Sequence, residues 1–310
     1  MSTQELAVVI GIVLVLILLP FLVAFILRRL IPMSLAAEEA NAGAAGESPL
    51  QFNSLRDVWS AAMPHLTELR NRLTKALLGV ALGTIVGAWL VYGSPLGKPL
   101  PDIMIDQFVP PNVNLQAIGT AETFVSYMGI ALVVGIAIAV PIIIYQIVAF
   151  IAPGLLPHEK RMLFTAIPFI AELFLAGVAF AWFITIPAAL QFLLNFGTDN
   201  RIITQPSLSS FLSTVSTLLL WNGLVFELPV VVYLLARIGL VSREGLSRTR
   251  RYAIVVIAIV AALITPTPDP YNMMILAVPM YLLYELGIQM TRFIPRRSAE
   301  QPTGGAGETA

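Results

Sequence analysis

Three carboxylates stand inside long apolar stretches of this chain: Glu172, Glu227 in NGLVFELPV, and Glu285 in YLLYELGI. An ionisable side chain at the centre of a bilayer costs about 2.5–3.5 kcal/mol on insertion scales, so such groups face protein or water and usually have a task. Two tasks are open for each of the three: closing a hydrogen bond to a neighbouring helix, or receiving a polar group from outside. Glu227 stands two residues before Pro229, which frees a carbonyl one turn earlier and permits a kink. Asn222 precedes Glu227 by five residues, a poorer match to one helix face than a four-residue step. A further polar cluster is FIAPGLLPHEKR, residues 150–161, where a Pro-Gly turn and four polar residues separate two apolar runs. It reads either as a solvated loop with surface ion pairs, worth about 0–1 kcal/mol each, or as a recognition element. No HExxH, GxSxG or Walker loop is present, nor paired intramembrane aspartates, so an ATP-driven pump and an intramembrane protease are disfavoured.

These residues must be positioned by membrane helices. Of the 310 residues 57% are hydrophobic and only 12% charged, with a mean hydropathy of +0.85; soluble domains carry about 25% charged residues. Eighteen basic residues balance 18 acidic ones, which gives no reason to expect nucleic acid or another polyanion as partner. The absence of cysteine and the presence of only two histidines exclude disulfides, thiolate metal sites and a His-rich metal site; no cofactor is expected.

About 20 apolar residues span a bilayer as a helix. The hydropathy predicts seven spans: Leu6 to Leu27, Leu73 to Tyr92, Thr123 to Phe150, Met162 to Leu190, Leu208 to Ile238, a short one from Tyr252 to Ile264, and Tyr271 to Met290. The short span requires a thinned bilayer or a water-filled dip at one end. All basic residues except Lys98 and Arg201 fall on one side, which the positive-inside rule assigns to the cytoplasm. The N-terminus is then outside and the C-terminus inside. The first span has no basic residue before it and Arg28-Arg29 after it, the reverse of a cleaved signal peptide. An extra N-terminal helix (1–32) is expected, then an Ala/Glu/Gly-rich linker (33–50), a six-span core (51–297) and a disordered tail (298–310).

Before the second span, Phe52, Leu55, Trp59, Ala62, Leu66, Leu69 and Leu73 recur at helical spacing, a stripe suited to the membrane surface, with Pro64 expected to start or kink a helix there. Gly79, Gly83 and Gly87 recur every four residues and suit close helix packing. Pro141, Pro168, Pro187, Pro229 and Pro279 either line a cavity or curve their helices. The loop from Gly93 to Glu122 is expected to be an ordered cap.

HLTELRNRL at 65–73, FIAPGLLPHEKR, FELPV at 226–230 and LITPTPDPYNMMILAVPMYLLYELGI together resemble the TatC family, the large membrane subunit of the twin-arginine protein translocase, in order and over about Ser54 to Phe293. The resemblance implies an all-α concave six-helix bundle, here with one extra N-terminal span that departs from the family pattern. It implies a protein of the cell membrane that is no enzyme. Such a protein recognises twin-arginine signal peptides of folded cargo, assembles with TatA/TatB-like single-span subunits, self-associates in a larger complex, and draws on the proton-motive force. It places signal-peptide binding at Glu68 and Glu159, aided by Arg70, Phe150, Pro153 and Gly154. It also implies a partner-subunit or intramembrane polar role at Glu227 with Pro229, and a polar position at the outer end at Asp269. Two adjacent guanidiniums call for planar carboxylate acceptors, which fits that assignment. The alternative from another class is a small-solute secondary transporter, which explains kinked helices and buried glutamates but not the polar signature before the second span, nor the lack of an internal repeat.

Overall fold

The computed structural model describes residues 55–93, 98–111, 113–154, 157–195, 206–267 and 269–293. The expected first span, the linker and the tail lie outside the described residues. Among the described residues the chain is a bundle of helices: α1 (Leu55–Tyr92), α2 (Leu100–Phe108), α3 (Glu122–Ile151), α4 (Pro157–Phe180), α5 (Ile186–Asn195), α6 (Leu208–Phe226), α7 (Leu228–Arg237), α8 (Arg243–Arg248), α9 (Arg250–Ile264) and α10 (Pro270–Met290). Five continuous segments are long and apolar enough to cross a membrane: Met63–Tyr92, Glu122–Ile151, Ala166–Leu194, Leu208–Arg237 and Pro270–Met290. Helix α9 has 15 residues, about 22 Å of helix, against a hydrocarbon thickness of about 30 Å.

Two expectations are corrected. Pro64 does not start a helix, because α1 runs through it for 38 residues. Proline deletes a single backbone bond, and Pro64 is exposed, so its ring meets no neighbouring element. The fourth apolar stretch is also not one regular helix. Between α4 and α5 the backbone widens into a π turn over Ala181–Thr185, where the Ile186 N–H donates to the Ala181 carbonyl. Pro187 follows at once; it has no N–H to offer the carbonyl one turn back, and a π turn next to such a gap is a known way for a helix to absorb it.

Helix α3 occupies the centre, packed against α1, α4 and α6. The contact with α1 is made by glycine. A Cβ on Gly83 would collide with the Gly135 carbonyl, one on Gly87 with the Ala131 carbonyl, and one on Gly135 would stand 2.5 Å from the Thr84 Cα. The two backbones therefore touch, as expected where small residues recur every four positions. The side of α1 away from α3 carries Leu73, Leu77, Leu82, Ile85 and Trp89, all exposed and fit to meet lipid.

One core cluster joins α1, α2, α3, α5 and α6 through Val91, Met104, Ile130, Trp182, Ile186 and Leu212. A second joins α3, α4 and α7 around Val148, Phe164 and Tyr233, and a third joins α6, α9 and α10 around Val225, Ala261 and Leu276. The loop between α1 and α3 is the ordered cap that its composition implied. In it, α2 is seated by Phe108 edge-on to Trp182, with ring centroids 4.9 Å apart, and by the Tyr127 hydroxyl donating to Asp102 at 2.6 Å.

The glycine contact gives a direct test. Gly83→Ala puts a methyl group into backbone and should destabilise the bundle by about 1–3 kcal/mol. Gly129→Ala, on the same α3 but with no neighbour within 4 Å, should leave stability unchanged or raise it by about 0.5–1 kcal/mol. Thermal melting of the two purified variants in one detergent compares them, and equal melting temperatures would refute close backbone packing.

Candidate functional site

The α1–α3 contact also fixes which polar residues lie level with one another. Gly79 meets Ile142, Gly83 meets Gly135 and Ala139, and Gly87 meets Ala131, an antiparallel register. Continuing it toward the basic end of the bundle carries Arg70 to about the level of Phe150, and Glu68 to about that of Ala152. The register thus brings two segments 80 residues apart in sequence to the same rim. At that rim α3 ends at Ile151 and the chain turns through a 3₁₀ segment, Ala152–Gly154, into α4. Ala152 is buried and anchors the turn, Pro153 is exposed, and Phe150 is half-buried. Glu159 is the third residue of α4; its side chain lies outside the described residues. A carboxylate in the first turn of a helix is favoured by the helix dipole by about 0.3–1 kcal/mol.

Glu68 is half-buried and accepts a hydrogen bond from Arg72 Nη2 at 3.3 Å, four residues on. Arg70 is exposed. The cation that engages Glu68 in the free protein is therefore Arg72, a pair the four-residue spacing made readable but which sequence reading passed over.

Glu227 lies at the junction of α6 and α7, where its own carbonyl accepts from Val230 and Val231. Pro229 is buried at the start of α7. The Glu227 Oε1 atom is buried and has no hydrogen-bond partner among the described residues. Asn222 does not serve it: fully buried, Asn222 donates to the Leu218 carbonyl at 2.8 Å and accepts from the Thr185 hydroxyl at 3.3 Å, in the π turn. Next to the junction, Val230 and Tyr233 face Leu163 and Ile170 of α4 and Met290 of α10 across an apolar cleft of about 250 Å³.

Glu285 stands near the basic end of α10. It receives Arg250 Nε at 3.0 Å, and Nη2 of the same guanidinium closes a second bond. It is a bidentate brace between α9 and α10, so of the two readings open for it the structure supports the internal one. Asp269 caps α10, accepting from the Asn272 N–H at 2.8 Å and the Asn272 side-chain amide at 3.0 Å.

Sequence reading missed Glu122. Its carboxylate accepts from the N–H groups of Gly119 at 3.0 Å and Ser209 at 2.9 Å, and also from that of Ile118. Together with the backbone bridge between Gln116 and Ser207 it ties the cap to the start of α6. The signal was an acid opening an apolar helix straight after a Gly-Thr-Ala turn.

Fold and site define an all-α polytopic membrane protein with a polar, carboxylate-bearing rim at its basic end. The comparisons say which one. Residues 64–279 match the family model for the Sec-independent protein translocase protein TatC. The TatC of Carboxydothermus hydrogenoformans is 37% identical over 232 residues, 74% of this chain and 92% of the relative. The TatC of Deinococcus radiodurans is also 37% identical, over 74% of this chain and 84% of its own length. A crystal structure of the twin-arginine translocase receptor TatC is 32% identical, superposes with a TM-score of 0.61, and is matched over 98% of its length by 74% of this chain. A second, in the detergent DDM, gives a TM-score of 0.64 at the same identity. The chain belongs to the TatC family, and it is a translocase subunit rather than an enzyme; nothing supports the solute-transporter alternative.

The Asp269 cap yields a pH prediction. Burial opposes ionisation of this carboxyl, but the hydrogen bonds from Asn272 outweigh it and hold the group below its ordinary value of 3.8. A carboxylate with a depressed folded-state pKa contributes stability that is complete above the unfolded value and is lost as pH falls through the folded one. Asp269→Ala should cost about 1 kcal/mol near neutrality, whereas Asp269→Asn, which keeps a capping oxygen, should cost little. The gap between the melting curves of wild type and Asp269→Ala should then shrink as the pH falls below about 4; a gap that widens with acid would contradict the cap.

Proposed function

We propose that this chain is the receptor core of a twin-arginine translocase, and that the rim formed by Glu68, Phe150 and the turn leading to Glu159 receives the arginine pair of the signal peptide. The observation that carries the reading is the α1–α3 register, which puts Glu68 level with the turn that precedes Glu159. A carboxylate accepts through both oxygens, so each glutamate can take a guanidinium in a charge-assisted pair. Pro153 and Gly154 set the direction in which α4 leaves the turn, and Phe150 offers an apolar contact at the interface. Arg72 occupies Glu68 in the resting state and is displaced or shared when the peptide binds. Arg70 is exposed beside it and adds to the rim's basic surface.

In this reading the protein sits in the cell membrane with its basic rim toward the cytoplasm, consistent with the distribution of arginine and lysine. The described helices supply six spans, α9 being the short one, and the apolar segment Leu6 to Leu27 supplies a seventh that enters from outside. The concave face of the bundle meets TatA/TatB-like single-span partners at Glu227, whose Oε1 is buried at a helix break without a hydrogen-bond partner among the described residues. The outer end, with Asp269, is the polar cap of that face, and several copies associate in the working complex. Cargo crosses folded, driven by the proton-motive force.

Photo-crosslinking to a twin-arginine signal peptide tests the rim. Glu68→Ala and Glu159→Ala each remove a charge-assisted acceptor worth about 1.5–3 kcal/mol, a loss of about 10- to 150-fold in affinity. Arg72→Gln frees Glu68 and should leave binding equal or a few-fold stronger. Normal crosslinking by the double Ala variant would exclude the rim as the receptor.

Glu227 is tested separately. As a docking point, Glu227→Ala should leave the melting temperature of the isolated protein in place, abolish crosslinks to single-span partners, and spare signal-peptide binding. Glu227→Gln should recover part of the contact, since an amide still bonds a polar partner. A large loss of melting temperature in the Ala variant, with partner crosslinks retained, would leave a purely internal role.

A further inference from the structure

We infer that the corner joining α7, α8 and α9 is a binding surface for anionic phospholipid headgroups. The corner is rigidly built. Helix α7 stops in a 6→1 turn: the Leu240 N–H bonds the Leu235 carbonyl at 3.0 Å and the Gly239 N–H bonds the Ala236 carbonyl at 3.1 Å. Gly239 holds φ at 78°, a conformation that costs a side chain dearly, which is why glycine closes helices in this way. Helix α8 then starts on a Ser242 cap that accepts from the Gly245 N–H at 3.0 Å. The Tyr284 hydroxyl fixes it to α10 by donating to the Leu246 carbonyl at 3.0 Å, and just beyond it Arg250, at the start of α9, pairs with Glu285 of α10.

What this scaffold displays is both greasy and cationic. The turn throws Leu240 outward, 72% exposed, beside Ile238 and Tyr252, both also exposed. Arg243, Arg248 and Arg251 are exposed around them. None of the three has a carboxylate within ion-pair distance among the described residues, and Arg251 lies 5.0 Å over the Tyr252 ring. The charge of Arg250 is already matched by Glu285, and the acid nearby in sequence is Glu244.

A plain topology signal needs cations in a loop; it does not need an ordered turn that presents leucine and tyrosine among them. That combination suits the boundary between acyl chains and headgroups, where apolar side chains enter and arginines meet phosphate. The short α9 reinforces it. The span begins at Arg250 and covers about 22 Å, which the bilayer meets by thinning beside it or by a water-filled dip at one end. Thinning brings headgroup phosphates down to the level of Arg248 and Arg251. Anionic headgroups, carrying a net charge that phosphatidylcholine lacks, are then concentrated at this corner.

The inference requires only that the protein is membrane-embedded, and it stands apart from the signal-peptide reading. Because the chain has no cysteine, Ser247→Cys on α8 carries a single fluorophore in otherwise intact full-length protein, with Ile118→Cys at the opposite end as control. The protein is reconstituted in symmetric vesicles of phosphatidylcholine and phosphatidylglycerol, with bromine on the chains of one lipid or the other. At Ser247, brominated phosphatidylglycerol should quench more than brominated phosphatidylcholine at equal mole fraction; at Ile118 the two should quench alike. Replacing Arg243, Arg248 and Arg251 together by Gln should lower the local preference by about fivefold per arginine. The triple Lys variant, with the charge kept, should retain it and shows that the corner still folds. Equal quenching by both lipids at Ser247 in the wild type, or an unchanged preference in the triple Gln variant, would overturn the inference. So would loss of the preference on adding soluble glycerol phosphate, which would make the corner a site for free phosphate.

Discussion

The backbone contact between α1 and α3 is the constraint from which the rest of the geometry follows. Three glycines on α1 and one on α3 remove the side chains that would hold the helices apart, and the Gly83 and Gly135 backbones meet. In lipid no hydrophobic drive pushes two apolar helices together, so close packing and lipid release must do it. Contact at the backbone also fixes register more strictly than contact through long side chains, because a slip of one residue would drive a carbonyl into a Cα. The level of Glu68 along the bundle is thereby set from about three turns away along α1. A rim made from two distant segments needs such a ruler, since the rim's own contacts are small: a 3₁₀ turn, a half-buried phenylalanine and one surface ion pair.

The breaks in the helices obey a second constraint, that polar backbone inside a bilayer must be covered by protein. The π turn before Pro187 is covered by Asn222, which reaches Thr185 while its amide returns to its own helix at Leu218. Phe108 of the cap closes over Trp182 at the same turn. The α6–α7 junction is treated differently. Val230 and Val231 bond back to the Glu227 carbonyl, yet among the described residues the Glu227 Oε1 atom has no hydrogen-bond partner. Among the described residues one break is internally satisfied, and the other leaves a buried carboxylate oxygen without a hydrogen-bond partner.

The sequence made the spans readable because a long apolar run has few alternatives in a protein this hydrophobic, and α3, α6–α7 and α10 start and stop within a few residues of expectation. Pro64 misled because proline's preference for a first helical turn was given weight over the length of the helix that runs through it. Glu285 was legible as an anomaly but not as a brace, since its partner Arg250 lies 35 residues away and no periodicity links them. Asp269 came in through family resemblance, while its capping role was open to view in the sequence Asp-Pro-Tyr-Asn at a helix start. Glu122 escaped because it looks like a loop residue until the backbone of residues 118, 119 and 209 gathers around it.

Stability across the bundle is graded. Helix α6 has ten buried residues, among them Leu212, Leu218 and Asn222, whereas α9 has three, Ile257, Ala261 and Ile264. Elements with few buried contacts open at lower free energy than core elements, so α9 is the compliant edge and the α1–α3–α6 centre the rigid one. Helix α9 keeps its place through its ends: Arg250 on Glu285 at one, and at the other the Thr265 N–H and hydroxyl, both bonded to the Ala261 carbonyl before the Asp269 cap restarts the chain. A helix held at its ends and loosely along its length can shift sideways without unfolding. Rigidity and compliance are thus separated within one small bundle: the carboxylate-bearing rim hangs from the rigid α1–α3 contact, and the side with room to yield is where α9 meets α10.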